Sequence, residues 1–340
     1  MRLNRIGIRG IGAVSGYGWG VDALWKGFVS EEVAAAVHAE LGGRFPDPCW
    51  MARIPDSEPD NYMGRYTRAY ASATEQAIRD ATERGWRPGE RVAVVTATTQ
   101  ADQELLGYLI AEFDRVEIHK KAYVQMTWTT PAYEVMNRHG YHGPALVVSA
   151  ACTSGIHAIA TAQRLITLGD ATDAIVIGVD CGYNAEPLIS FHELGPLRYD
   201  THPREICRPL QEGSRGFVIG EAAAALVLSP SLDNSYLTVA GTTMTSEAYH
   251  ALSIDPTHRM ITSSVDQALA HADLTAAEVA TYIAHATGTP ECNRADEAVV
   301  AHLGPGPRSP RSAPNPCSDT VWVRPTCSTQ YCCRAGTKKV

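Results

Sequence analysis

The sequence predicts an α/β protein of layered α/β/α build, and three observations predict it. Buried apolar runs of strand length recur along the chain, segments of helical period lie between them, and glycine or proline closes most of these segments. The alternation runs both before and after about residue 235, so two related halves packed together in an α/β/α/β/α arrangement are expected, with no clear internal repeat between them.

Residues 3–14 alternate apolar and small residues and break at glycines, which reads as a strand entering a turn. Gly10, Gly12 and Gly16 have the spacing G-x-G-x-x-x-G, one residue longer than a dinucleotide fingerprint, and no βαβ unit comes after them; they are read as turn glycines. Residues 65–84 carry apolar groups at helical spacing among good helix formers, and Gly85 and Pro88 close that helix. RVAVVTAT (91–98) and ALVVSAAC (145–152) read as buried strands, the second running into a helix that stops near Gly169. AIVIGVD (174–180) is a further strand, and 216–230 reads as a strand pair around a glycine kink, ended by Pro230. A strand at 236–241, a helix at 263–272 and a strand at 281–289 carry the pattern to about residue 300.

This divides the chain into an N-terminal half (1–235), the start of a C-terminal half (236–303) and a tail (304–340). Residues 304–317 hold five prolines in 14 positions, and residues 318–340 have neither a helical nor a strand period, so the tail reads as disordered.

At 340 residues the chain suffices for one large domain or two medium ones. A formal charge of −8 argues against a nucleic-acid or polyanion partner. No stretch approaches the roughly 20 apolar residues of a membrane helix, and the N-terminus reads as a strand and turn, so no membrane association and a cytoplasmic location are expected. Cysteines in such a chain stay reduced. Cys317, Cys327, Cys332 and Cys333 match no paired C-x-x-C zinc spacing, so no metal is expected.

Cys152 follows a strand of small and apolar residues and precedes Ser-Gly and a helix. At a helix N-terminus the macrodipole favours thiolate, and backbone N–H groups there can hold an oxyanion. Ala150, Ala151 and Gly155 allow a tight turn and a close approach of substrate. A small buried core cysteine fits the local sequence equally well.

The surrounding segments decide between them. SAACTSGIHAIATAQRLITLGDATDAIVIGVD (149–180) resembles the nucleophile segment of the β-ketoacyl-(acyl carrier protein) synthases, thiolase-like condensing enzymes. RPLQEGSRGFVIGEAAAALVL (208–228), with Gly220 and Glu221, resembles the family's Gly-Phe-Val-x-Gly-Glu block. SEAYHALSIDP (246–256) is similar to its Asp-Ala-x-His…Pro loop, and HATGTPECNRADEA (285–298) to its His-Gly-Thr-Gly-Thr loop. The four segments keep the family's order, and the resemblance covers residue 3 to about 300.

The resemblance implies a thiolase-like fold and a decarboxylating Claisen condensation without a cofactor. Cys152 would accept an acyl chain as a thioester, and a malonyl-type extender on acyl carrier protein would lose CO2 and attack it. His285 would be one of two histidines that polarise the extender's thioester carbonyl. Thr287 and Thr289 would touch the extender, and Gly288 would shape the loop. Ala286 stands where the family has glycine, Gln211 where it has aspartate, and Cys292-Asn293 where it has Asn-Asp; one added methyl at 286 is expected to do little harm. His157, one turn past Cys152, is read as packing or capping. Acyl carrier protein is the implied partner, together with a homodimer or a heterodimer with a ketosynthase-like subunit.

One family feature has no counterpart. The family places Lys-x-x-x-Gly-His-x-x-Gly-Ala and a late glycine-rich turn after the His285-type loop, whereas here no lysine lies between Lys121 and Lys338 and the last histidine is His302. Residues 313–332, back-translated with GC-leaning codons and read two bases on, give R-A-K-P-L-F-G-H-S-V-G-A-A-D-V-L-N-A-V-L. A frameshift between about residues 300 and 313 is therefore expected, by mutation or sequencing error, with an incomplete second half, exposed apolar faces and impaired condensation. Two other readings differ in class: a non-catalytic ketosynthase-like partner, in which Cys152 would be unreactive, and a Cys/His acyltransferase or hydrolase, which would cleave thioesters without forming carbon–carbon bonds.

Overall fold

A computed structural model describes residues 3–30, 32–38, 49–55, 64–111, 124–125, 127–183 and 185–304. In chain order the strands are β1 (Ile6–Ser15), β2 (Gly18–Trp19), β3 (Ala36–His38), β4 (Cys49–Met51), β5 (Val92–Ala97), β6 (Ala145–Val148), β7 (Asp173–Asp180), β8 (Ala222–Ser229) and β9 (Leu237–Val239). The helices are α1 (Val21–Ser30), α2 (Arg65–Glu83), α3 (Gln103–Ala111), α4 (Thr130–His139), α5 (Ser154–Leu168), α6 (Ala185–Glu193), α7 (Pro203–Ile206), α8 (Arg259–Ala272) and α9 (Pro290–Leu303).

The main sheet runs β2-β1-β8-β7-β5-β6, with β9 also paired to β1. β5 lies parallel to both β6 and β7, while β8 is antiparallel to β7 and β1. The parallel neighbours force crossovers, and helices cover both faces. All six residues of β5 are buried, as its uninterrupted apolar run requires.

On one face α2 places Ala69, Ala73, Ala77 and Ala81 against the sheet, with Tyr66, Tyr70 and Trp86 filling the space beside them. On the other, Ala158, Ala162 and Ile166 of α5 pack on Ala93, Val95, Ala174 and Val176. Alanines four residues apart, at 69, 73, 77 and 81 of α2 and at 158 and 162 of α5, let each helix lie close to the strands. Gly10 and Gly12 are not turn residues: they sit within β1, where a Cβ would collide with the carbonyl oxygens of Ala77 and Ala73 of α2. Their spacing records a helix–sheet contact.

Two expected strands differ. In 216–230 only β8 forms a strand, and Phe217 and Gly220 make isolated bridges to Leu197 and Ala52. Residues 281–289 form no strand. No described strand runs beside that segment, and extended backbone without a neighbour has no ladder to complete. The tail expected to be disordered lies, from residue 305 on, outside the described residues.

Candidate functional site

Cys152 sits on the turn between β6 and α5. Ala151 adopts a left-handed conformation (φ 49°), which turns the chain sharply out of the strand. Two hydroxyls close the turn. Ser154 Oγ accepts from Ala150 N at 2.8 Å and donates to Ala151 O at 2.6 Å, and Thr153 Oγ1 donates to Ala150 O at 2.8 Å. The Cys152 side chain is exposed, while Cys49, Cys181 and Cys207 are buried. Gly155, in the first turn of α5, faces open space.

The loop carrying His285 is held from two sides. Asp296 of α9, 3% exposed, accepts backbone N–H groups from His285 (3.1 Å, Oδ1) and Ala286 (2.9 Å, Oδ2), and Tyr282 Oη donates to Oδ1 at 2.6 Å. Burial and this carboxylate push the Tyr282 phenol well above its ordinary range. Ser214 Oγ donates to Gly288 O at 2.7 Å, which ties the 208–216 segment to the loop. Gly288 has φ 86°, and a Cβ there would lie 2.6 Å from Gly216 O, so only glycine fits. Ala286 also lies in the left-handed region (φ 52°), so its methyl group is strained, contrary to the expectation that it costs little.

A cavity of about 730 Å3 opens between α5, α8 and α9. Thr153 of the Cys152 turn and His157 of α5 line one wall, and His285 and Cys292 line another. The fold thus brings the residue next to Cys152 and His285 to one cavity, although they stand more than 130 positions apart. The hydroxyls of Thr287 and Thr289 pair with each other at 3.1 Å, and Thr289 caps α9 by accepting from Cys292 N at 3.4 Å.

Glu221 is fully buried and fastens three segments: it accepts from Ile54 N (3.0 Å) and Gly182 N (2.9 Å) and pairs with Arg65 Nη1 at 3.5 Å. Gly220 beside it bridges Ala52. Asp296 and Ser214 escaped sequence reasoning. Asp296 lies inside the matched 285–298 segment, four residues past Cys292, so an acidic residue on the first turns of a helix after the histidine loop was the available signal. Among the described residues no cluster of three or more His, Cys, Asp or Glu could hold a metal ion, and no helix is long and apolar enough to cross a membrane. The segment in which the resemblance places a second histidine falls outside the described residues.

Residues 3–234 match the family model for the β-ketoacyl synthase N-terminal domain. The 3-oxoacyl-[acyl-carrier-protein] synthase 2 of Rhizobium meliloti is 25% identical over 324 residues, covering 84% of this chain and 75% of that protein. Among solved structures, a type II polyketide-synthase ketosynthase, in complex with its acyl carrier protein and bound to the hexaketide, superposes with a TM-score of 0.79 at 21% identity, over 89% of this chain and 79% of that one. A ketosynthase in complex with its chain length factor, from Xenorhabdus doucetiae, gives 0.76 at 24% identity, over 88% of this chain and 76% of that one. The likeness covers the thiolase-like α/β fold.

Proposed function

Because the chain belongs to the β-ketoacyl synthase family, we propose that Cys152 takes up an acyl group as a thioester for condensation with a malonyl-type extender, in fatty-acid or polyketide synthesis. The observation that carries this is the exposed Cys152 on a turn whose next residue lines one cavity with His285. The thiolate attacks the thioester carbonyl of the incoming acyl group, the carrier thiol departs, and the acyl chain stays on sulfur. The extender then loses CO2, its carbanion attacks the acyl carbonyl, a carbon–carbon bond forms and the Cys152 thiolate leaves. His285 polarises the extender's carbonyl, with its loop held by Asp296 and Ser214. Thr287 and Thr289 shape that loop and contact the extender; Gly155, Gly220, Glu221 and Gly288 keep the backbone around the site in place.

We infer that the second half-reaction is impaired, since no histidine follows His302 in this chain. Acyl transfer to Cys152 needs only the first half of the machinery. The partners this reading supports are an acyl carrier protein and a second ketosynthase-like subunit. β6 ends the main sheet with one edge unpaired among the described residues, and Leu146 on it is 37% exposed, which suits strand-to-strand association.

Intact-protein mass spectrometry after incubation with an acyl thioester tests the reading. An acyl adduct that is absent in Cys152→Ala supports it, and little 3-ketoacyl product should form when malonyl carrier protein is added. Normal turnover to that product would remove the impairment; a protein that never acylates would sink the enzyme assignment and leave the partner-subunit role.

A further inference from the structure

The wall of the 730 Å3 cavity between α5, α8 and α9 is largely apolar, with Ile159, Met244, Ile254, Val265 and Val299 on it. Two stretches of backbone border it, 241–245 and 282–285, and neither belongs to a strand. No described strand pairs with either of them. Large apolar side chains on or beside these stretches stand in solvent: Tyr249 is 56% exposed, Leu252 70% and Ile283 53%. Extended backbone beside an apolar hollow is a template on which a further strand can form.

Charge narrows the choice of occupant. Glu247 and Asp296 line the cavity, and among the described residues no lysine or arginine does. Residues 305–340 hold six lysines and arginines against one aspartate, a net +5, which leaves −13 on residues 1–304 of a chain at −8. A basic segment is therefore drawn to this body, whereas the body of a second copy brings like charge.

The C-terminal segment also has the right apolar part and the right tether. Thr320-Val321-Trp322-Val323 is its longest run of strand-forming residues, and Pro325 ends that run. The chain leaves α9, whose Val299 is on the cavity wall, at Leu303, and residues 304–319 separate that point from Thr320. A proline-rich spacer of that length reaches about 50 Å at roughly 3.1 Å per residue, well beyond the length of α9. Such a tether holds the run at an effective concentration on the order of millimolar, so that even a weak site is filled.

We propose that Thr320–Arg324 docks in this cavity as an added strand, with the Val-Trp-Val run on the apolar wall and the basic residues that flank it facing the acidic body. Docked there, it shares the cavity with His285 and shields Cys292. The proposal stands apart from the chemistry of Cys152.

Cys292 is partly buried on the cavity wall and reports whether the cavity is filled. The test, in the full chain, is its rate of alkylation by iodoacetamide, read by peptide mass, together with deuterium uptake at 241–245 and 282–285. Trp322→Asp should raise the Cys292 rate about tenfold and speed exchange in both stretches, as expected when a segment docked about nine-tenths of the time is released. Arg324→Glu should raise the rate about twofold or more, since it reverses one charge. Cys49, Cys181 and Cys207, all buried, should stay slow in both variants, which marks an intact body. Should Trp322→Asp expose those three as well, Arg324→Glu, which keeps the apolar run, decides by the same readings. Cys292 and exchange rates unmoved by the variants overturn the proposal. So does protection that grows with protein concentration, which would make the occupant a second copy.

Discussion

Asp296 Oδ1 accepts the backbone N–H of His285 at 3.1 Å, so a buried carboxylate on α9 sets the position of a histidine eleven residues earlier. Its second oxygen takes the next N–H, of Ala286, at 2.9 Å. Charge-assisted bonds to two successive amides leave the loop little freedom to tilt. Asp296→Asn keeps one acceptor and loses the other, and the loss should lower stability by about 1–3 kcal/mol. Urea denaturation of the two proteins checks this; equal midpoints would mean that the loop does not depend on the carboxylate.

Ala286→Gly removes a side chain from a left-handed residue at φ 52°. The strain relieved, about 1–2 kcal/mol, exceeds the entropy glycine adds to the unfolded chain, about 0.5–1 kcal/mol. A net gain of about 0.5 kcal/mol is expected in the same denaturation experiment. A loss of stability would show that the methyl group packs favourably enough to outweigh its backbone strain.

Gly288→Ala should do the reverse. The residue has φ 86°, and an added Cβ meets Gly216 O at 2.6 Å and Ser214 Oγ at 2.9 Å. Backbone strain and overpacking together should cost about 2 kcal/mol or more. Because the clash falls on the bond from Ser214 to Gly288, the acylated protein should also respond less to an added extender. An alanine variant as stable as the parent would contradict the described loop.

Glu221→Gln removes the buried negative charge that faces Arg65 at 3.5 Å and Arg53 at 3.9 Å, while keeping an acceptor for one of the amides of Ile54 and Gly182. Breaking a buried pair by removing one charge typically costs about 3–5 kcal/mol, so a fall in melting temperature of several degrees is expected. Calorimetry measures it. A change under about 1 kcal/mol would mean that the Glu221 charge contributes little to stability.

Asp102 gives a pH signature. Its folded-state value of about 6 lies above the ordinary carboxylate value, mainly through burial. At pH 3 and below, folded and unfolded chains are both largely protonated and the group has little effect. As pH rises from about 3 to 6 the unfolded chain ionises first, so stability falls, and above about 6 the full penalty stands. Asp102→Asn should therefore stabilise the protein at pH 8 and have little effect at pH 3, as melting curves across that range would register. Equal shifts at both pH values would mean that the carboxyl titrates normally.

The parts of the fold legible in the sequence are those set by nearest neighbours along the chain. The apolar runs of β5, β6 and β7 and the helical period of α2 and α5 depend on local pattern, and each appears within a few residues of its expected place. β6, however, expected to be buried, lies at the sheet edge with none of its residues buried. The strand, turn and helix start around Cys152 were legible for the same reason, but locally a core cysteine fitted equally well, and only the resemblance of four ordered segments favoured a nucleophile. His285 became visible only through the order of four segments, since nothing in its own neighbourhood distinguishes it from other histidines. Where the outcome depended on a distant partner, local pattern misled: residues 281–289 have strand composition but no described strand beside them, and Gly10 and Gly12 have turn composition but serve the approach of α2.

By itself, then, the sequence determined the layered α/β class, the turn that carries Cys152 and the family to which the chain belongs, because hydrophobic period, helix start signals and residue identity act over a few neighbouring positions. Only the tertiary structure decided that Asp296 holds the His285 loop, that Glu221 joins residues 54, 65 and 182, and that Tyr66, Gln100 and Asp102 meet around one cavity. Those pairings join residues far apart along the chain, and a hydrogen bond or a shared cavity wall forms only when packing brings its members within a few ångströms.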